Sequence, residues 1–74
     1  MLAMRPDCER CGVDLPADEP GALICSFECT FCGPCVAAMA GVCPNCGGNF
    51  AARPTRVGEK LARNPADTQR RFKP

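Results

Sequence analysis

The sequence predicts a small α+β fold held together by its cysteines, with a short hairpin and one short helix ahead of a basic C-terminal tail. Three observations carry that expectation. The chain has 74 residues, and eight of them are cysteine. Within the cysteine-bearing stretch the large apolar residues are few: Val13, Leu15, Leu23, Ile24, Phe27, Phe31, Val36, Met39, Val42 and Phe50, with no Trp or Tyr anywhere. Chains this short bury a small share of their surface and usually need a metal or disulfides to stay folded. Backbone ordering costs roughly 1–2 kcal/mol per residue, and so small an apolar set does not offset that alone.

Dense cysteines also mark secreted disulfide scaffolds. A secretory leader opens with a basic patch followed by roughly 7–15 apolar residues. Here Met1-Leu2-Ala3-Met4 runs straight into Arg5-Pro6-Asp7. No apolar stretch approaches the ~18–20 residues of a membrane span. The expectation is therefore a cytoplasmic chain with reduced thiols, in which paired cysteines read as metal ligands.

The cysteines stand at Cys8, Cys11, Cys25, Cys29, Cys32, Cys35, Cys43 and Cys46. Three of the four pairs are separated by two residues, and that spacing lets both sulfurs of one turn reach a tetrahedral Zn²⁺ at ~2.3 Å. Eight ligands make two closed four-cysteine sites and imply two Zn²⁺ per chain, a metal-dominated fold. The chain has no histidine. Four thiolates saturate tetrahedral zinc and leave no position for water or substrate, so the sites read as structural and the chain as no enzyme. Thiolate-only sites also accept iron species. Spacing alone leaves open whether the pairs are used in sequence or interleaved.

Element by element, residues 1–7 form a lead-in, 8–50 hold every cysteine, and 51–74 form a basic tail with room for short helices. Gly12 and Gly47 each follow a Cys-x-x-Cys pair, where a tight turn asks for positive φ. Ala22-Leu23-Ile24 reads as a short strand and Thr30-Phe31 as its partner. Pro34 suits the first turn of a helix that continues through Val36–Ala40 and ends at Gly41. In the tail, Val57–Arg63 reads as helical, and Asn64-Pro65-Ala66-Asp67 reads as the capped start of a second helix. Helices this short are marginal alone, so the tail is ordered only if it docks. Metal binding is expected to survive removal of residues 53–74.

Charge is split along the chain. Residues 1–52 carry two basic and six acidic side chains, net −4, whereas residues 53–74 carry seven basic and two acidic, net +5; together they give the chain's +1. Eight thiolates on two Zn²⁺ would add about −4 more, making the core strongly acidic and the whole chain about −3.

The spacing over residues 8–46 resembles the RING finger. Phe31 before Cys32 fits that family's aromatic position, a short helix follows Cys35, and Cys43-Pro44-Asn45-Cys46 matches its closing Cys-Pro-x-Cys. The resemblance implies a RING-like or treble-clef zinc finger with cross-braced ligation: Cys8, Cys11, Cys32 and Cys35 on one zinc, and Cys25, Cys29, Cys43 and Cys46 on the other. Cys29 stands where RING fingers usually carry histidine. A second resemblance spans the chain. Met1-Leu2, Met4-Arg5-Pro6-Asp7-Cys8, the run Ile24 to Cys32, Cys43 to Gly48 and the closing Arg71-Phe72-Lys73-Pro74 resemble a small bacterial family known as domain of unknown function 1272. That likeness implies a bacterial cytosolic zinc protein and supplies no activity.

Function is read against these residues. RING fingers that recruit ubiquitin-conjugating enzymes use an apolar residue after the first cysteine, an aromatic in the helix and a basic residue after the last cysteine. Glu9, Met39 and Gly47 stand there, and only Pro44 agrees. The leading expectation is a protein-interaction module presenting residues such as Leu15, Leu23, Phe27 and Met39. A second is nucleic-acid binding through Arg53, Arg56, Lys60, Arg63, Arg70, Arg71 and Lys73, although no Tyr or Trp offers a stacking platform. A third is a zinc or redox sensor, in which metal-held thiolates are oxidised.

Overall fold

The computed structural model describes residues 2–72. Its elements run β1 (Ala22–Ile24), β2 (Thr30–Cys32), α1 (Gly33–Ala38), β3 (Ala51–Ala52) and α2 (Gly58–Arg63). The three strands form one antiparallel sheet in the order β2-β1-β3. In the hairpin, Leu23 faces Phe31 and Ile24 faces Thr30. The connection is Cys25 to Cys29, closed by the Glu28 N–H donating to the Cys25 carbonyl at 3.0 Å. Glu28 takes φ +64 to make that turn, an unusual conformation for a residue with a Cβ.

The core explains why so few apolar residues suffice. Its buried residues are Cys8, Cys25, Cys29, Phe31, Cys35 and Cys43, with Leu15, Val36, Met39 and Phe50 packed against them. Phe31 meets Phe50 edge to face, with ring centroids 5.5 Å apart. Sulfur thus fills the volume that aliphatic side chains occupy elsewhere.

Helix α1 begins as the sequence suggests, with Pro34 in its first turn. It stops at Ala38, and the chain leaves through Ala40 and Gly41, both at positive φ. The Gly41 N–H donates to the Val36 carbonyl at 3.0 Å, the closure expected of a left-handed helix terminus.

Packing does not follow the division of the sequence at residues 7 and 50. Met4 and Asp7 in the lead-in are buried, β3 continues the sheet past residue 50, and Arg53 is only 4% exposed. The Arg53 guanidinium donates to the carbonyls of Arg5 (2.8 Å), Leu15 (2.9 Å) and Pro16 (3.2 Å). Its own N–H reaches the Ala22 carbonyl at 2.9 Å. One residue therefore ties the lead-in, the first loop and the sheet. Burial lowers its pKa, and Arg56 adds to the effect. Three carbonyl dipoles take the place of a carboxylate partner.

The first tail helix forms as expected, but the second does not. Asn64 closes α2 instead of opening a new helix: its backbone and side-chain N–H groups both donate to the Lys60 carbonyl. Asp67 then bonds outward, its N–H to the Met4 carbonyl at 3.0 Å. Residues 65–72 run without regular structure along the body.

Candidate metal centres

Local hydrogen bonds shape two similar knuckles. In the first, the Gly12 N–H donates to the Cys8 carbonyl and the Cys8 N–H to the Val13 carbonyl, both at 2.9 Å. In the last, the Gly47 N–H donates to the Cys43 carbonyl at 2.9 Å and the Cys43 N–H to the Gly48 carbonyl at 2.8 Å. Each glycine has positive φ, +80 and +76. In the first knuckle a backbone N–H after the leading cysteine points at its sulfur, Arg10 N–H to Cys8 Sγ at 3.4 Å. The Phe27 N–H serves Cys25 Sγ in the same way, at 3.4 Å.

The sulfurs of Cys8, Cys11, Cys32 and Cys35 lie within 4.8 Å of one another. The Cys11 and Cys32 sulfurs are 3.7 Å apart. Ligands ~2.3 Å from a tetrahedral metal would be separated by ~3.8 Å, so this set is close to the spacing that a single ion needs. The second set consists of Cys25, Cys43 and Cys46 under the same 4.8 Å limit. Cys29 is buried in the same core but its sulfur falls outside that limit. It accepts a hydrogen bond from the Asn45 side-chain amide at 3.4 Å. The structure therefore gathers the first and third cysteine pairs, and the second and fourth share the other cluster through Cys25.

The proton affinities are graded across each cluster. Burial raises Cys8, but the N–H groups of Cys32, Cys11 and Arg10 outweigh it and hold the thiol down at about 7. Cys25 is likewise held at about 7 against burial, by the N–H groups of Phe27 and Cys29. Burial pushes Cys32 up to about 12, its thiol neighbours adding to the rise. A cluster that has already lost protons resists losing the next, and a divalent cation relieves that resistance.

Several supporting residues carry little signal in the sequence. The Arg10 guanidinium reaches Cys35 Sγ at 3.5 Å, placing a cation beside the first cluster. Glu9 accepts the Thr30 N–H at 2.7 Å and pairs with Arg5 at 2.6 Å, so it braces the hairpin. Asp7 is fully buried and accepts the N–H groups of Arg71 and Phe72, both at 3.0 Å. Position between the cysteines of a Cys-x-x-Cys pair is the one available hint, for Glu9, Arg10 and Asn45. Nothing in the sequence singles out Asp7.

The basic residues considered for nucleic-acid contact are dispersed. Arg53 is buried; Arg56 donates to the carbonyls of Leu2 and Asn64; Arg63 pairs with Glu59. Arg70 bonds Asp14 and the Gly12 carbonyl, and Arg71 bonds Asp67. Lys60 is exposed, and Lys73 lies outside the described residues. Among the expected contact residues, Leu15, Leu23 and Met39 are half-buried, whereas Phe27 is 72% exposed at the tip of the Cys25–Cys29 turn. No helix among the described residues is long and apolar enough to cross a membrane.

Fold and clusters define a small α+β protein with two groups of cysteines able to hold metal ions. The chain belongs to the family described as Protein of unknown function (DUF1272), whose model matches residues 1–56. An uncharacterized protein of Rhizobium meliloti (strain 1021) is 51% identical over 75 residues, which cover 100% of this chain and 89% of that relative. No solved structure matches the chain.

Proposed function

We propose that this is a non-enzymatic zinc protein whose two structural four-cysteine sites build a small, RING-like protein-interaction module. The observation that carries the reading is the gathering of Cys8, Cys11, Cys32 and Cys35, from either side of β1, into one set within 4.8 Å. Interleaved use of the first and third pairs is what a cross-brace requires. In the second site Cys29 joins Cys25, Cys43 and Cys46, turning its sulfur from the Asn45 amide toward the metal. All-thiolate donors favour zinc, and four of them leave no open position for catalysis. The bound ions would act as cross-links between loops, supplying the stability that the apolar core lacks.

The interaction role is supported by what those cross-links present. A large aromatic, Phe27, stands exposed on a turn that the second site would rigidify, and preordered loops bind at lower entropic cost. Phosphate contact by the tail finds less support, because most of its arginines are engaged within the chain.

A native mass spectrum of protein expressed with zinc tests the metal assignment. Two zinc ions per chain, lost with the fold on chelation, is the expected result. Fewer metals, or masses lowered by disulfides, would overturn it. Cross-linking in cells, with and without Phe27→Ser, tests the interaction role; no cross-linked protein in either case would remove it.

A further inference from the structure

Beside the first cysteine cluster the surface opens into a groove of about 490 Å³. Val13, Leu15, Gly21, Gly33 and Pro34 line it beside Cys11. No charged side chain lines it. Val13 is 48% exposed there, and Cys11 and Pro34 are exposed as well. None of Glu9, Met39, Pro44 or Gly47 takes part, so this is a different surface from the one RING fingers present to ubiquitin-conjugating enzymes.

The surroundings of the groove are acidic. Asp14 stands between Val13 and Leu15 in the chain, with its side chain 77% exposed and its charge met by Arg70 at 2.8 Å. Asp18 and Glu19 are exposed on the turn that leads into Gly21, and among the described residues neither forms an ion pair. Three of the groove's residues, Cys11, Cys32 and Cys35, belong to the first cluster. Four thiolates around one divalent ion would carry a net charge of about −2, of which the Arg10 guanidinium, 3.5 Å from Cys35 Sγ, offsets one unit.

The chain's own tail shows which chemistry this knuckle accepts. Arg70 donates to the Gly12 carbonyl at 2.6 Å and to Asp14 at 2.8 Å. The Phe72 ring lies against Gly12, so close that a Cβ there would sit 2.8 Å from it. A basic side chain and an apolar one, two residues apart, are thus seated together on the outer face of the knuckle. Among the described residues, none of the tail lines the groove.

We propose that the groove receives a segment of a partner protein that presents an apolar side chain flanked by Lys or Arg. The inference rests on the interaction-module reading and names its surface and partner chemistry. The apolar side chain takes the space between Val13 and Pro34, and the flanking cations face Asp18, Glu19 and the cluster thiolates.

The test is a selection from a random linear peptide library against the full, zinc-loaded chain, followed by affinity measurements on the selected peptides. The expected peptides carry Leu, Ile or Phe among Lys or Arg, and bind more weakly as salt rises. Val13→Asp, and separately Asp18→Lys combined with Glu19→Lys, should each weaken them about tenfold or more while zinc content stays at two. The charge-reversed variant alters only exposed side chains, so it reads out even if Val13→Asp fails to fold. Acidic peptides, or peptides bound equally by both variants, would overturn the groove while leaving an interaction role elsewhere. Dimerisation of the chain that Val13→Asp abolishes would assign the groove to a second copy and overturn the proposal. A library that yields nothing above background would remove both the groove and the interaction reading.

Discussion

The Phe72 N–H donates to the Asp7 carboxylate at 3.0 Å, linking the residue before the first cysteine to one 65 positions later. Arg71 N–H reaches the same carboxylate at 3.0 Å, and the Arg70 side chain approaches at 3.8 Å. Asp7 itself has no exposure to solvent. The C-terminal segment is therefore a strap across the first cysteine knuckle, and the tail belongs to the fold.

Removing the strap and removing its acceptor should cost the same. Asp7→Ala is expected to destabilise the metal-loaded protein by about 1–3 kcal/mol, the range for bonds to a buried charge. Deleting residues 70–74 should cost about as much, and the two changes together no more than either alone. Urea unfolding checks this. Deletion of residues 53–74 should be far worse, because it removes Arg53 and leaves three carbonyls without their donor. Metal content after that deletion should fall below two, the reverse of what the sequence suggests.

Gly12 and Gly41 separate backbone strain from a steric contact. Both have positive φ, +80 and +74, so an alanine at either costs about 1–2 kcal/mol. Only Gly12 also faces the Phe72 ring, at 2.8 Å from an added Cβ, whereas Gly41 has nothing within 4 Å. Gly12→Ala should lower the melting temperature more than Gly41→Ala. In protein lacking residues 70–74 the difference should vanish; its persistence would show that Phe72 is not the cause.

Removing one sulfur from each cluster tests its ligand set. Cys32→Ser takes a ligand from a complete set of four, and should lose one metal together with most of the fold. Structural zinc contributes apparent binding energy on the order of 10–16 kcal/mol. Cys29→Ser should also lose its metal if Cys29 is the fourth ligand of the second site. A Cys29→Ser protein that keeps two zinc ions by native mass spectrometry would show that Cys25, Cys43 and Cys46 suffice.

Metal affinity should rise with pH, with a break near neutrality. Each thiol proton must leave before its sulfur binds, so affinity grows wherever thiols are still protonated. Cys8 and Cys25, held at about 7, stop contributing above that pH, while Cys32, pushed up to about 12, continues. Chelator competition from about pH 6 to about pH 8 should therefore show a steeper dependence below neutrality than above. A slope that steepens with rising pH would contradict these proton affinities.

Much of the centre is legible in the cysteine spacing, because ligand pairs two residues apart are a local property of one turn. Gly12 and Gly47 announce those turns for the same reason, and Pro34 and Gly41 mark the limits of α1. The second tail helix fails to form because Asn64 and Asp67 have capping chemistry but use it elsewhere. Asn64 closes the preceding helix, and Asp67 serves Gln69, Arg71 and Met4.

By itself the sequence determined which side chains could donate to a metal ion, and the hairpin and helix that carry them. These follow from residue types and short spacings. Only the tertiary structure decided which pairs share a cluster, where Cys29 points, and that Asp7 and Arg53 bind the two ends of the chain to the knuckles. Those contacts join residues tens of positions apart through hydrogen bonds to backbone groups, which every residue carries and no sequence pattern distinguishes.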